Sequence, residues 1–212
     1  MSSASGAKCK LCRREGMKLM LKGERCYLDK CAIETRNYAP GQHGAMARRK
    51  KLVGGSYAEQ LREKQKIKRI YGLREQQCRN TFQRAVRLKG VTGEVFLQLL
   101  ERRLDNMVYR MGFAPSRESA RQLVRHSHFR VNGKKVNIPS FSVSAGDIIT
   151  VAEKSTKIDL IHAALKSAHR GSPLDWISVD KVKLSGSLVS LPSRDQVPTP
   201  VNEQLVVELY SK

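Results

Sequence analysis

Cys9, Cys12, Cys26 and Cys31 stand as a C-x2-C pair and a C-x4-C pair with thirteen residues between them. Two close pairs on one loop are what a tetrahedral ion needs, each forming a knuckle that brings two thiolates to about 2.3 Å from the metal. Lys8, Lys10, Arg13, Arg14, Arg25 and Lys30 flank the pairs. Nearby cations lower thiol pKa and offset the charge of four thiolates. Beyond Leu11, Leu19, Leu21 and Ile33 the segment has few large apolar residues, so its folding needs a cross-link. Two disulfides are the competing use, which a reducing compartment disfavours, and four unligated thiols this close invite oxidation. The spacing therefore predicts one structural zinc ion. Four thiolates also suit an iron–sulfur cluster, the less favoured alternative. The fifth cysteine, Cys78, keeps step with Phe82 and Val86 on a helical period and reads as a small buried apolar side chain.

The second chemistry is cationic. Forty Lys and Arg face nineteen Asp and Glu, a net charge of +21 over 212 residues. Self-repulsion on that scale destabilises a compact chain, so a polyanion is the expected counterweight. Residues 1–75 carry +12, residues 76–170 carry +10 and residues 171–212 carry −1. An anionic membrane does not fit, because no apolar run approaches 18 residues and the first 15 residues lack a signal-peptide core. The expected compartment is the cytosol. Nucleic acid does fit, since cations spread over many elements can neutralise many phosphates.

Elements must position these groups. Asn37–Gly44, NYAPGQHG, turns at Pro40-Gly41; with four sulfurs already available, His43 reads as an RNA or backbone contact. Arg48, Arg49, Lys50 and Lys51 form an arm that ends at Gly54-Gly55 and orders on phosphates. Ser56 with Glu59 is a capping-box signature for a helix that stops near Gly72. Along it, Arg62, Lys66 and Arg69 make a basic stripe that suits phosphate contact. A second helix is expected over 74–88 with Cys78, Phe82, Ala85 and Val86 inward. A third helical region runs from Thr92 to Gly112, as one helix or as two broken near Asp105.

Residues 113–151 change character. Pro115-Ser116 announces a short helix with Arg117, Arg121 and Arg125 on one edge and Ala120, Leu123 and Val124 inward. FRVNGKKVNI reads as two strands joined by Asn132-Gly133, because both residues tolerate the positive φ of a type I′ turn. Lys134 and Lys135 follow that turn. Ser144–Asp147 is another turn, before a strand over 148–151. A helix is expected over 159–168, then strands over 176–179 and 205–209. The near-neutral end suits packing or protein contact.

PGQHG, LREKQKIKRIYG, KGVTGEVFLQLLERRLDNMVYRMGF, SARQLVRH, FRVNGKKVNIPSF and VNEQLVVELYSK, in this order, resemble the bacterial and organellar family of small-subunit ribosomal protein four. The cysteine quartet resembles that family's zinc-bearing branch. The resemblance covers nearly the whole chain and implies an α+β protein: a zinc-bound segment over 1–45, a helical body over 46–92 completed by 168–212, and a helix-plus-hairpin RNA-binding module over 93–167 with its core at 102–162. It implies a primary binder of the 5′ domain of small-subunit rRNA that nucleates the subunit body and influences decoding accuracy. It further implies contact with ribosomal protein five and a position near the channel where mRNA enters. Gln42, His43, Arg48–Lys51, Arg62 and Arg69 fall in segments that contact rRNA in the family; Arg117, Arg121, Arg125, Lys134 and Lys135 fall on its RNA-facing helix and hairpin. The implied location is the small ribosomal subunit, bacterial or organellar.

Two other classes compete. Pseudouridine synthases share the small module and use an Arg-Leu-Asp motif, and this chain has Arg103-Leu104-Asp105. Here Asn106-Met107-Val108 follows inside an apolar helix, so Asp105 reads as a structural hydrogen-bonding group near Arg102 and Tyr109, and no catalysis is expected. A zinc-dependent DNA regulator would need a recognition helix after a tight turn, and none is legible.

Overall fold

A computed structural model of the protein describes residues 6–45, 56–167 and 174–211. The chain divides into two compact units, Met1–Gly93 with Thr199–Lys212, and Glu94–Pro198.

In the first unit, α1 (Lys8–Glu15) ends on Gly16 with φ 70°, and α2 (Ala32–Thr35) follows Cys31. Between them lies a 3₁₀ turn, Gly23–Cys26. Leu19 is the one buried large apolar side chain besides cysteines among the described residues up to 45. Helix α3 (Ser56–Ile70) buries Ile67 and Ile70, while α4 (Glu75–Arg87) buries Cys78, Phe82 and Ala85. Val86, expected inward, is exposed, because it sits one step past Ala85 and turns away from the seam. At the entrance to α4 the Arg74 N–H donates to Gln77 Oε1 at 3.1 Å.

The expected strand over 205–209 is instead α9 (Glu203–Tyr210). Asn202 caps it by accepting the Gln204 N–H at 3.1 Å, and Glu203 in its first turn suits the helix dipole. The Val206-Val207 pair favours a strand by propensity, but tertiary packing overrides that preference. Gln60 Nε2 donates to Glu208 at 2.8 Å, and the Tyr210 ring lies 4.8 Å from Phe82. Gly93 lets α9 approach, since a Cβ there would fall 2.8 Å from Glu203 Cγ.

In the second unit the helical region from Thr92 takes the broken form of the two expected: α5 (Thr92–Glu101), which begins in the first unit, and α6 (Leu104–Arg110). The break comes from a distant segment. Arg103 is extended and bridges Ser142, the Leu104 N–H donates to Phe141 O at 2.9 Å, and the Val143 N–H donates to Arg102 O at 2.8 Å. Next come α7 (Arg117–Arg125), β1 (Phe129–Val131), β2 (Lys134–Lys135), β3 (Ile148–Val151) and α8 (Asp159–Ser167). Two further strands, β4 (Ile177–Asp180) and β5 (Ser185–Leu188), complete one antiparallel sheet in the order β2-β1-β3-β5-β4. Residues 177–188 thus join the sheet rather than the helical body, which takes only 199–211. The core gathers Trp176, Phe113, Phe129, Met107, Ile149 and Ile161, each 1% exposed or less. Among the described residues no helix is long and apolar enough to cross a membrane.

Candidate nucleic-acid interface and cysteine cluster

Ser116 Oγ accepts the Ser119 N–H at 3.2 Å and starts α7, whose Ala120, Leu123 and Val124 are buried. The opposite edge carries Arg117, Arg121 and Arg125 at four-residue steps, which share a face on a helix. The hairpin turn has φ 49° at Asn132 and 76° at Gly133, the paired positive angles of a type I′ turn. It leaves Lys134 and Lys135 exposed. Asn132 is further fixed, donating to Asp147 Oδ1 and accepting the Ile148 N–H, both at 2.9 Å.

The three arginines differ in what holds them. Arg121 donates through Nε and Nη2 to Asp105 Oδ2 at 2.9 and 2.6 Å. Arg103 grips the same carboxylate at 3.0 and 2.9 Å. Asp105 is therefore the structural group its surroundings suggested, but its partners are Arg103 and Arg121 and not Arg102 or Tyr109. Arg102 instead donates to Val143 O at 2.8 Å, and Tyr109 lies under the Arg117 guanidinium, 4.5 Å from ring centre to Cζ. Arg117 Nε also donates to Asn106 Oδ1 at 2.8 Å. Asn106 Nδ2 in turn donates to Glu101 Oε2 at 2.6 Å, and Arg110 pairs with Glu101 through two bonds of 2.9 and 2.7 Å. The Asp105 and Glu101 carboxylates are 3% and 0% exposed; buried carboxylates persist only when paired this fully. Arg125 is the exposed member of the edge.

The stripe on α3 is occupied from within. Arg62 Nη1 lies 3.7 Å from Glu15 Oε1, Arg69 bonds the same oxygen, and Lys66 pairs with Glu63. Burial, then the neighbouring Arg14 charge, pulls the pKa of Arg62 and Arg69 down. Lys64 and Lys68 reach Glu75 at 2.6 and 3.0 Å. Burial opposes the charged form of Glu75, but these two bonds outweigh it and hold its carboxyl below the usual value. Every cation of α3 therefore has a carboxylate partner; that of Lys66 is local, but sequence reasoning missed the other four because Glu15 and Glu75 belong to other elements.

Gln42 and His43 are exposed on a turn closed by the Gly44 N–H donating to Gly41 O at 3.1 Å. Arg13 holds the stretch before it, donating to Tyr38 O at 2.9 Å with its guanidinium 4.6 Å from the Tyr38 ring centre. Arg48, Arg49, Lys50 and Lys51 lie outside the described residues.

Cys9 and Cys12 on α1, Cys26 on the 3₁₀ turn and Cys31 before α2 line one cavity of about 10 Å³, room for one ion or water. Lys8 and Lys22 border it, and the Lys22 N–H donates to Cys26 Sγ at 3.3 Å. Burial, reinforced by the other cysteines, raises the Cys12 and Cys26 thiols above their usual pKa. Shared lining does not amount to ligation: among the described residues, no three or more His, Cys, Asp or Glu are grouped so as to hold a metal.

Residues 4–101 match the model of the "Ribosomal protein S4/S9 N-terminal domain" and residues 102–149 match the "S4 domain". The chain is 58% identical to small ribosomal subunit protein uS4 of Pelobacter propionicus, over the full length of both. It is 56% identical to the uS4 protein of Geobacter sulfurreducens and 55% to that of Geotalea uraniireducens, again over the whole of each. The chain belongs to the uS4 family. It is a structural protein of the small ribosomal subunit that binds rRNA, not an enzyme. The uS4 module's matched residues include Arg117, Arg121, Arg125, Lys134 and Lys135, but end inside β3, short of β5 and β4.

Proposed function

We propose that the chain binds the 5′ domain of small-subunit rRNA as a primary binder, nucleates the body of the subunit, and influences decoding accuracy. Its further partners in this reading are ribosomal protein five and the channel where mRNA enters, within a bacterial-type ribosome of the cytoplasm. The observation that carries it is the exposure of Arg125, Lys134 and Lys135 within the matched module. Arg117 and Arg121 stand on the same helix edge, with Asn106 and Asp105 holding their guanidinium planes. RNA is recognised largely through shape, phosphates and 2′-hydroxyls, and such cations supply the phosphate part. Gln42, His43 and the arm Arg48–Lys51 add contacts from the first unit.

If about ten phosphates are neutralised, affinity falls by several decades between low and physiological salt. Arg125→Ala should weaken binding to all RNAs and flatten the salt slope by about one unit. Titration against separate transcripts of the 5′ and 3′ domains tests the assignment, and equal affinity for both would sink it.

The same reading gives Cys9, Cys12, Cys26 and Cys31 one zinc ion. Support comes from the donor set: four soft sulfurs on one ion-sized cavity, with an N–H···S bond already formed. When bound, the ion supplies a cross-link and not reaction chemistry. Elemental analysis should find one zinc per chain; iron with sulfide would establish the cluster instead. Chelation should loosen residues 1–43 and leave the second unit folded, as read by amide exchange.

A further inference from the structure

We infer that the outer face of α4 is a second RNA-backbone surface, built by Arg79, Arg84, Arg87 and Lys89. This rests on the rRNA-binding reading above and names a part of the interface that the α3 stripe does not supply. From residue 76 to residue 91 the chain has four cations and no carboxylate. The inner face of α4 is spent on Cys78, Phe82 and Ala85, at 0%, 5% and 0% exposure. Positions 79, 83 and 87 recur at four-residue steps on the opposite side, with 80 and 84 beside them. That side therefore shows Arg79, Arg84 and Arg87 among the amides of Asn80 and Gln83, and all five are exposed. Lys89 extends it past the helix end.

The contrast with the preceding helix gives the face its meaning. All five cations of α3 hold carboxylates, whereas none of Arg79, Arg84 and Arg87 on α4, nor Lys89 beyond it, has a side-chain hydrogen bond or ion pair among the described residues. Unpaired cations repel one another and lower stability unless a polyanion neutralises them. Arg84 and Arg87 lie in the last turn, where the helix dipole favours cations. The dipole does not account for Arg79 at mid-helix or for Lys89 beyond the end. Val86, Leu88 and Val91 are 57%, 50% and 72% exposed beside the cations. Aliphatic surface between phosphate-binding cations suits sugar packing, so the partner committed to is an RNA backbone and not an acidic protein.

The test uses the full chain and a transcript of the 5′ domain. R79Q/R87Q and R84Q/K89Q remove two charges each from exposed positions, and K166Q/K183Q is the charge-matched control at exposed lysines of the second unit. Each α4 pair is expected to flatten the salt slope by about one to two units and to weaken binding about tenfold or more, with thermal unfolding unchanged. The control should shift binding by about twofold or less. Hydroxyl-radical footprints should lose protection at one strand segment in the α4 variants alone. Slopes equal to the control's, or a loss of stability with the slope intact, would overturn the surface in favour of a solvated or dipole-stabilising face. An intact footprint with lost capture of a purified acidic subunit protein would overturn it in favour of a protein site. If the wild-type chain itself shows no salt-dependent binding to the transcript, the rRNA reading fails instead, so the two failures are distinguishable.

Discussion

Helices α3 and α4 are consecutive, both strongly basic, and opposite in what their charge can reach. On α3, Arg62 and Arg69 close on Glu15, Lys64 and Lys68 close on Glu75, and Lys66 closes on Glu63. On α4, Arg79, Arg84 and Arg87 point outward with no carboxylate partner among the described residues. A count of cations would rank α3 first as a phosphate binder. The availability of a charge, and not its density along the chain, decides what it can bind. Helix α7 stands between the two, with Arg121 locked to Asp105, Arg117 seated on Asn106 and Tyr109, and Arg125 exposed.

The most disruptive way to break this contrast is to remove a buried carboxylate. Glu15 is 2% exposed at the side chain, so Glu15→Ala leaves two partly buried guanidiniums facing each other. That should cost about 3–5 kcal/mol in denaturant unfolding of the first unit; a cost under about 1 kcal/mol would show that the Glu15 pairing is ornamental. Asp105→Ala should cost a similar amount in the second unit, somewhat less if Arg121 swings into water. Asp105→Asn keeps the shape and half the bonds, and should fall between it and wild type.

A smaller effect sharpens the α3 side. Glu75 has a depressed carboxyl pKa in the folded state, so the unfolded chain binds more protons in that window. Its contribution is fully present above the ordinary carboxyl value of 4.5 and is lost as pH falls through the lower folded value. The carboxylate is 47% exposed, so screening holds the effect to about 0.5 kcal/mol or less. Glu75→Gln should erase that part of the acid limb in a pH series of unfolding curves. The smallest expected effect is on binding: Lys64→Gln should leave the RNA salt slope unchanged, while a flattened slope would show that α3 trades its carboxylates for phosphates.

Legibility in the sequence followed the range of the interactions. The α7 cap at Ser116, the buried edge of that helix and the Asn132-Gly133 hairpin are set by neighbours within four residues, and each was readable. A break near Asp105 could be named but not decided from periodicity, because residues 139–143 impose it from about forty positions away. Strand β5, Ser185–Leu188, carries Gly186 and no β-branched run, so nothing local announces it. Helix α9 was misread because its valines favour a strand until Asn202 and the seam with α3 decide otherwise. The α3 stripe was visible as cations, but the Glu15 partner that Arg62 and Arg69 share on α1 was not. The four cysteines were legible as a group, and they do line one cavity.

The sheet has a practical consequence for anyone dividing the molecule. The residues matched to the RNA-binding module end at 149, in the middle of β3, whose outer edge pairs with β5 through residues 148–150. A fragment cut there leaves a truncated strand with its hydrogen-bonding edge bare, ready to pair with another copy. It also removes Trp176, the largest side chain of the core. A fragment carried through Pro198 keeps the edge covered and the indole in place, so the smallest soluble piece of this chain is set by strand pairing and not by family resemblance.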